Sequence, residues 1–142
     1  MITKAEYFGP HRGSSEITEE LLEAVAELLE AQAKLQGRAE AAGVHFPKNP
    51  KTGSGISGST YGGWRPKACS IGAPASAHKL GLAVDLFDPH EEIDNWCMAN
   101  LSILAQCGIY LEHPDKTPGW SHWSVKAPKS GNRVFAPWRG YA

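Results

Sequence analysis

Apolar positions recur at helical spacing between Leu21 and Ala39. Leu21, Val25, Leu28, Leu35 and Ala39 form one stripe, with Leu22, Ala26, Leu29 and Ala33 beside it, and predict a helix running to about residue 42. Thr18 stands at its N-cap, Glu19 and Glu20 occupy the first turn where the helix dipole favours carboxylates, and Gly43 ends it. A helix of this kind is a packing element, and no chemistry is assigned to it. A second helical pattern runs from Glu91 to Cys107, with Ile93, Trp96, Cys97, Leu101 and Leu104 on one face and Gly108 behind. Strand-like runs are shorter: Ala83–Phe87, Ile109–His113 and Trp120–Val125, with Ser59–Pro66 as a further short strand. Tyr7-Phe8-Gly9-Pro10 reads as an aromatic anchor followed by a turn, and Pro128 to Arg139 as an irregular tail anchored by aromatic residues.

The sixteen residues Val44–Ser59 are dense in glycine, proline and serine, and a connection of that length predicts a loop that lines or covers a site. Its glycines lack the Gly-Lys-Ser/Thr ending of a phosphate loop and no helix opens after them, which excludes that motif.

One strand carries the chemistry. Ala83, Val84, Leu86 and Phe87 are apolar, yet Asp85 sits among them, and a buried carboxylate is costly unless it is paired, hydrogen-bonded or bound to a metal. His78 stands seven residues upstream, with Gly81 between them to let the backbone turn. A further histidine would complete a three-ligand zinc site with an open fourth position. His122 lies between Trp120 and Trp123, and strand alternation puts it on the face of Trp120. A histidine there is ordinarily part of an aromatic cluster, but with His78 and Asp85 lacking a partner it becomes the favoured third ligand. His90, directly after the Asp88-Pro89 turn, reads as a surface histidine. Arg65 precedes a proline, where a solvated loop arginine is the ordinary reading. It also stands thirteen residues before His78, and a guanidinium fork suits a substrate carboxylate or an oxyanion beside a metal.

Composition narrows the classes. With 142 residues, 42% hydrophobic and 20% charged, the chain reads as one globular domain. A net charge of −1 gives no electrostatic case for nucleic acid or an anionic membrane. No apolar run approaches the roughly 20 residues of a membrane span, and the N-terminus lacks a signal-peptide core. The expectation is a monomer made in a cytoplasm without an export signal of its own. Cys69, Cys97 and Cys107 form an odd set without C-x-x-C spacing, which fits a reduced compartment. Cys97 and Cys107 read as small buried hydrophobes, and Cys69, though near the site, is not taken as a ligand.

Ser76-x-His78-x-x-Gly81-x-Ala83-x-Asp85, followed by Trp120-x-His122 and preceded by Arg65, resembles the D-alanyl-D-alanine carboxypeptidase-type zinc peptidases. That family includes phage endolysins that cut the L-alanyl-D-glutamate bond of peptidoglycan, and shares its core with the hedgehog signalling domain and lysostaphin-type endopeptidases. The similarity covers roughly residues 57 to 137, after an N-terminal helical segment of residues 1 to 43, and is closest to small phage-encoded members. It implies an α+β fold in which a small antiparallel sheet carries one zinc ion, with the long N-terminal helix and a second helix packed against it. His78, Asp85 and His122 would be the zinc ligands. Arg65 would hold the substrate carboxylate or polarise the scissile carbonyl, and Ser76 would steady the site. Trp120 joins Arg65 and Ser76 as a substrate-binding residue.

The resemblance further implies a peptidase of peptidoglycan stem peptides, acting on the wall after release from the cell or from within a virion. The departure concerns the general base. Branches of the family carry a carboxylate three residues before the last zinc histidine, or a histidine five residues before it, and here those positions hold Gly119 and Thr117. Glu112 is the favoured substitute, with Asp115 and His113 behind it. The alternative reading is a non-catalytic, zinc-containing module that binds peptidoglycan or builds part of a phage particle.

Overall fold

The computed structural model describes residues 1–71 and 76–136. It is an α+β arrangement in which one long helix and a small mixed sheet enclose a single apolar cluster. Of the tail expected to be irregular from Pro128 to Arg139, Val134–Phe135 form a strand instead, and residues 137–139 lie outside the described residues.

Thr3 opens α1 (Lys4–Phe8) with a capping box closed by Glu6, a Thr-x-x-Glu signature that the reading as a simple aromatic anchor passed over. Helix α2 (Glu19–Ala41) starts where the Thr18 hydroxyl accepts from Leu21 N, and Gly43 follows it at φ 90°. Val25, Leu28, Leu29, Leu35 and Ala39 are buried as the spacing implied, while Leu22 stays largely exposed. Gln32 and Gln36 share the buried face. Gln32 Nε2 donates to Gln36 Oε1 at 2.7 Å and Gln32 Oε1 accepts from Ile2 N at 3.3 Å, so the pair satisfies itself while pinning the N-terminal segment.

The sheet has the order β1 (Ala83–Phe87), β3 (Trp120–Ser124), β2 (Tyr110–Glu112), β4 (Val134–Phe135). β3 is antiparallel to both its neighbours, but β4 runs parallel to β2, so the sheet is mixed rather than antiparallel as expected. The cause is chain order. The short turn through Pro114–Lys116 sets β2 directly beside β3, and the chain returning from β3 finds that place taken and lands outside β2.

Two other expectations are corrected. The helical pattern after Glu91 is two helices, α3 (Glu92–Ala99) and α4 (Leu101–Cys107), broken at Asn100. The Asn100 side chain donates to Trp96 O at 2.8 Å and its carbonyl accepts from Ile103 and Leu104, a competition with helix hydrogen bonding typical of asparagine. The expected strand Ser59–Pro66 is an irregular turn whose carbonyls bond to scattered partners, Tyr61 O to Arg65 Nε, Gly62 O to Asp85 N and Gly63 O to His78 Nδ1.

The glycine-rich Val44–Ser59 segment does not line the metal cleft described below, among the described residues. It covers the free edge of β1 instead: Ser57 N donates to Asp85 O at 2.9 Å, Phe87 N to Gly55 O at 2.7 Å, and Ile56 pairs with Leu86. A sheet edge carrying a functional carboxylate is thereby closed to other strands.

Cys97 is buried and Cys107 half-buried, and all three cysteines are free thiols. No helix among the described residues is long and apolar enough to cross a membrane.

Candidate metal centre

The central strand pair brings two candidate ligands face to face. In the β1–β3 register Asp85 lies directly opposite His122. His78 comes from the short helical turn Ala77–Leu80 that leads into β1. One ligand atom from each residue falls within 4.8 Å of the others, and all three side chains are buried, so the group can hold a metal ion. Asp85 Oδ1 is 2.7 Å from His122 Nδ1 and 3.3 Å from His78 Nε2.

The turn bearing His78 is fixed from several sides. Ser76 Oγ accepts from His78 N at 3.2 Å, and Gly81 ends the turn in the left-handed region at φ 71°. A Cβ on Gly81 would lie 2.8 Å from side-chain atoms of Leu21 and Val25, so the turn is seated directly on α2. The imidazole itself is oriented by backbone. His78 Nδ1 lies 2.8 Å from Gly63 O; a carbonyl can only accept, so Nδ1 carries the proton and Nε2 turns its lone pair toward the centre.

Gly63 can take this position only because it has no side chain. A Cβ there would stand 1.9 Å from Tyr7 O, the carbonyl that accepts from Trp64 N. Its neighbour Gly62 accepts from Asp85 N at 2.7 Å, and the Tyr7 hydroxyl donates to Ala83 O at 2.8 Å. Tyr7, Gly62 and Gly63 therefore form the scaffold behind two of the ligands. None of the three was assigned to the site from the sequence. The one available signal was a Gly-Gly pair inside a run taken for a strand, where glycine marks close backbone approach.

Arg65 reaches the centre, though its contacts are with protein. Nη2 is 3.2 Å from Asp85 Oδ2, Nε donates to Tyr61 O at 2.8 Å and Nη1 to Ile71 O at 3.4 Å. Asp85 is thus held by both oxygens, one toward the histidines and one toward the guanidinium. Burial opposes its charge, but His78 and the His122 hydrogen bond outweigh that and hold its pKa well below the ordinary carboxylate range. For His122, burial disfavours the charged ring while the hydrogen bond and charge of Asp85 favour it, and the balance lies above the usual imidazole value. A metal would displace the proton now shared along that contact, so binding weakens as pH falls.

The centre lies at the base of a cleft of about 620 Å³ whose walls include Arg65, Ser76, Glu112, Trp120, Ser124 and Phe135. Trp120 shares the cleft face with His122, as alternation implied, and the Phe135 ring packs edge-on to His122 at 5.8 Å. Glu112 is half-buried in β2. Burial raises its pKa, the nearby His122 opposes that, and Asp85 adds to it. Asp115 is exposed and lies 3.8 Å from His113 Nδ1, and neither of these residues lines the cleft. His90 is exposed at the surface, and Cys69 is not part of the ligand group.

The two positions where the family pattern fails are committed to structure. Thr117 is buried and donates through Oγ1 to Asp94 Oδ2 at 3.1 Å. Gly119 turns the chain into β3 at φ 88°, and its carbonyl accepts from Asp88 N at 3.1 Å. No family model, curated protein or solved structure matches the chain, so the site is read from its own geometry.

Proposed function

We propose that the protein is a zinc-dependent peptidase of peptidoglycan stem peptides, of the D-alanyl-D-alanine carboxypeptidase or L-alanyl-D-glutamate endopeptidase type, acting in phage lysis of the cell wall. The observation that carries this reading is the convergence of His78, Asp85 and His122 at the base of a cleft that also receives Glu112. The donor set fits zinc: two imidazole nitrogens and a carboxylate, buried, with one ring locked by a carbonyl and the carboxylate braced by an arginine. Three protein ligands leave room for a water or substrate atom, which marks a catalytic rather than a structural zinc site. Zinc bound there would supply Lewis acidity, acidifying a water and polarising an amide carbonyl.

The chain's own residues supply the rest. Glu112, with a raised pKa and half exclusion from solvent, accepts a proton from the attacking water and delivers it to the leaving amide nitrogen. Trp120 and Phe135 form apolar walls that take the substrate backbone and small side chains and limit water. Arg65 braces Asp85 through Nη2 while Tyr61 O and Ile71 O hold its Nε and Nη1, and the second N–H of each terminal nitrogen is left for a substrate oxygen. The hedgehog and D-alanyl-D-alanine peptidase fold belongs to this reading, and so does action outside the cytoplasm after release.

The test is mass spectrometry of purified muropeptides after incubation with zinc-loaded protein, with and without chelator. Chelator-sensitive loss of alanine, or a cut after the first L-alanine, supports the peptidase and names its bond. Intact muropeptides from folded protein with stoichiometric zinc would overturn it in favour of a non-catalytic peptidoglycan-binding or structural phage module.

A further inference from the structure

We infer that Lys126 and Lys129 form a carboxylate-binding subsite at the mouth of the cleft, selecting peptides that carry a free acidic group within a residue or two of the scissile amide. The inference deepens the peptidase reading above and rests on it.

Among the described residues three cations line the cleft, Arg65, Lys126 and Lys129. Arg65 is bonded to Asp85, Tyr61 O and Ile71 O, and swinging it away toward a substrate would leave the buried Asp85 carboxylate without its partner. Lys126 and Lys129 differ. Both are exposed, and among the described residues neither ammonium takes part in an ion pair or hydrogen bond. Unpaired charges at a cleft wall are available to an incoming group of opposite sign.

The segment that carries them is braced. Ser124, in β3 on the His122 face, accepts from Lys126 N at 3.0 Å and donates to Lys126 O at 3.3 Å. Gly131 N closes the following turn on Pro128 O at 2.9 Å. Lys126 therefore leaves directly from the ligand-bearing strand, and Lys129 sits in the hydrogen-bonded turn that follows. Lysine is a compact charge on a flexible stem, so the pair tolerates a carboxylate whose position varies, where an arginine fork would demand one geometry.

The sign of the local charge agrees. Among the described residues cations outnumber carboxylates in the cleft even before a metal adds its own charge, although the whole chain carries −1. Such a focus draws anionic ligands inward and repels basic peptides.

The experiment uses paired peptides that differ only in a carboxylate replaced by a carboxamide beside the scissile bond, offered to zinc-loaded wild type, the Lys126→Gln/Lys129→Gln double variant and the Lys126→Arg/Lys129→Arg double variant. Cleavage gives KM for each peptide, and calorimetric titration gives affinity independently of turnover. Two exposed pairs at the upper end of what such pairs contribute give the wild type about a thirtyfold preference for the acid form, weakened by salt. The glutamine variant should lose that preference and the arginine variant keep most of it. A wild type that treats the paired peptides alike, or a glutamine variant that keeps the preference, overturns the subsite. Acid-selective binding without cleavage, lost in the glutamine variant, keeps the subsite while overturning the catalytic reading. Neither binding nor cleavage of either peptide overturns both.

Discussion

Asp94 offers a quantitative check on the electrostatics behind the sheet. Its side chain is fully buried in the first turn of α3; Oδ2 accepts from Thr117 Oγ1 at 3.1 Å, while Oδ1 has no geometrically aligned hydrogen-bond partner among the described residues. Burial, opposed by the Ser121 and Thr117 hydroxyls and reinforced by the charges of Asp88 and Glu91, pushes its pKa from 3.8 up to about 7. The folded state therefore binds this proton more tightly than the unfolded chain. Its contribution to stability is complete below pH 4 and is lost as pH rises through 7. A rise of about three units at 1.36 kcal/mol per unit makes the loss about 4 kcal/mol. Asp94→Asn keeps an acceptor for Thr117 and removes the titration. Denaturant unfolding of metal-free wild type and variant from pH 4.5 to 8.5 should show similar stability at the acid end and a variant more stable by a few kcal/mol at the alkaline end. Asp85 acts with the opposite sign, its stabilisation fading as pH falls below the ordinary carboxylate range, but it is common to both proteins and cancels in the difference. Parallel pH profiles would refute the reasoning.

Three further predictions concern the centre. Asp85→Ala should weaken zinc binding by more than about 100-fold in chelator competition, since even supporting residues are worth 10- to 100-fold, and should destabilise the metal-free protein by about 3 kcal/mol by stranding Arg65. Glu112→Gln should keep zinc and lower turnover by about 10²- to 10⁴-fold; full turnover would remove Glu112 as the base. Gly63→Ala places a Cβ 1.9 Å from the Tyr7 carbonyl, so unfolding should cost at least about 2 kcal/mol less and zinc affinity should fall about tenfold or more as the His78 ring loses its anchor. Reduced stability with unchanged affinity would show that the Gly63 carbonyl does not orient the ligand.

Much of the local structure was legible because it is encoded locally. The stripe from Leu21 to Ala39 specifies α2 through helical periodicity, Thr18 and Gly43 bound it, and the β1 strand reads directly from Ala83 to Phe87. An aspartate inside that apolar strand announced a paired or metal-bound carboxylate before any partner was known. The structure closes His78 and His122 around it, because strand register sets Asp85 opposite His122. What periodicity could not encode is how distant segments share one hydrogen-bonding surface. Gly62 and Gly63 read as strand residues, but Ser57 and Ile56 approach the first and Tyr7 the second so closely that no side chain fits. Arg65 reads as a substrate clamp by residue type, and only the fold reveals its bonds to Asp85, Tyr61 O and Ile71 O. Thr117 and Gly119 looked like missing catalytic groups, and in the fold one holds Asp94 and the other turns the chain into β3. β4 runs parallel to β2 because the place beside β3 was already filled. Composition and spacing select the donors; which of them remain free for a ligand is decided by backbone contacts made across the whole chain.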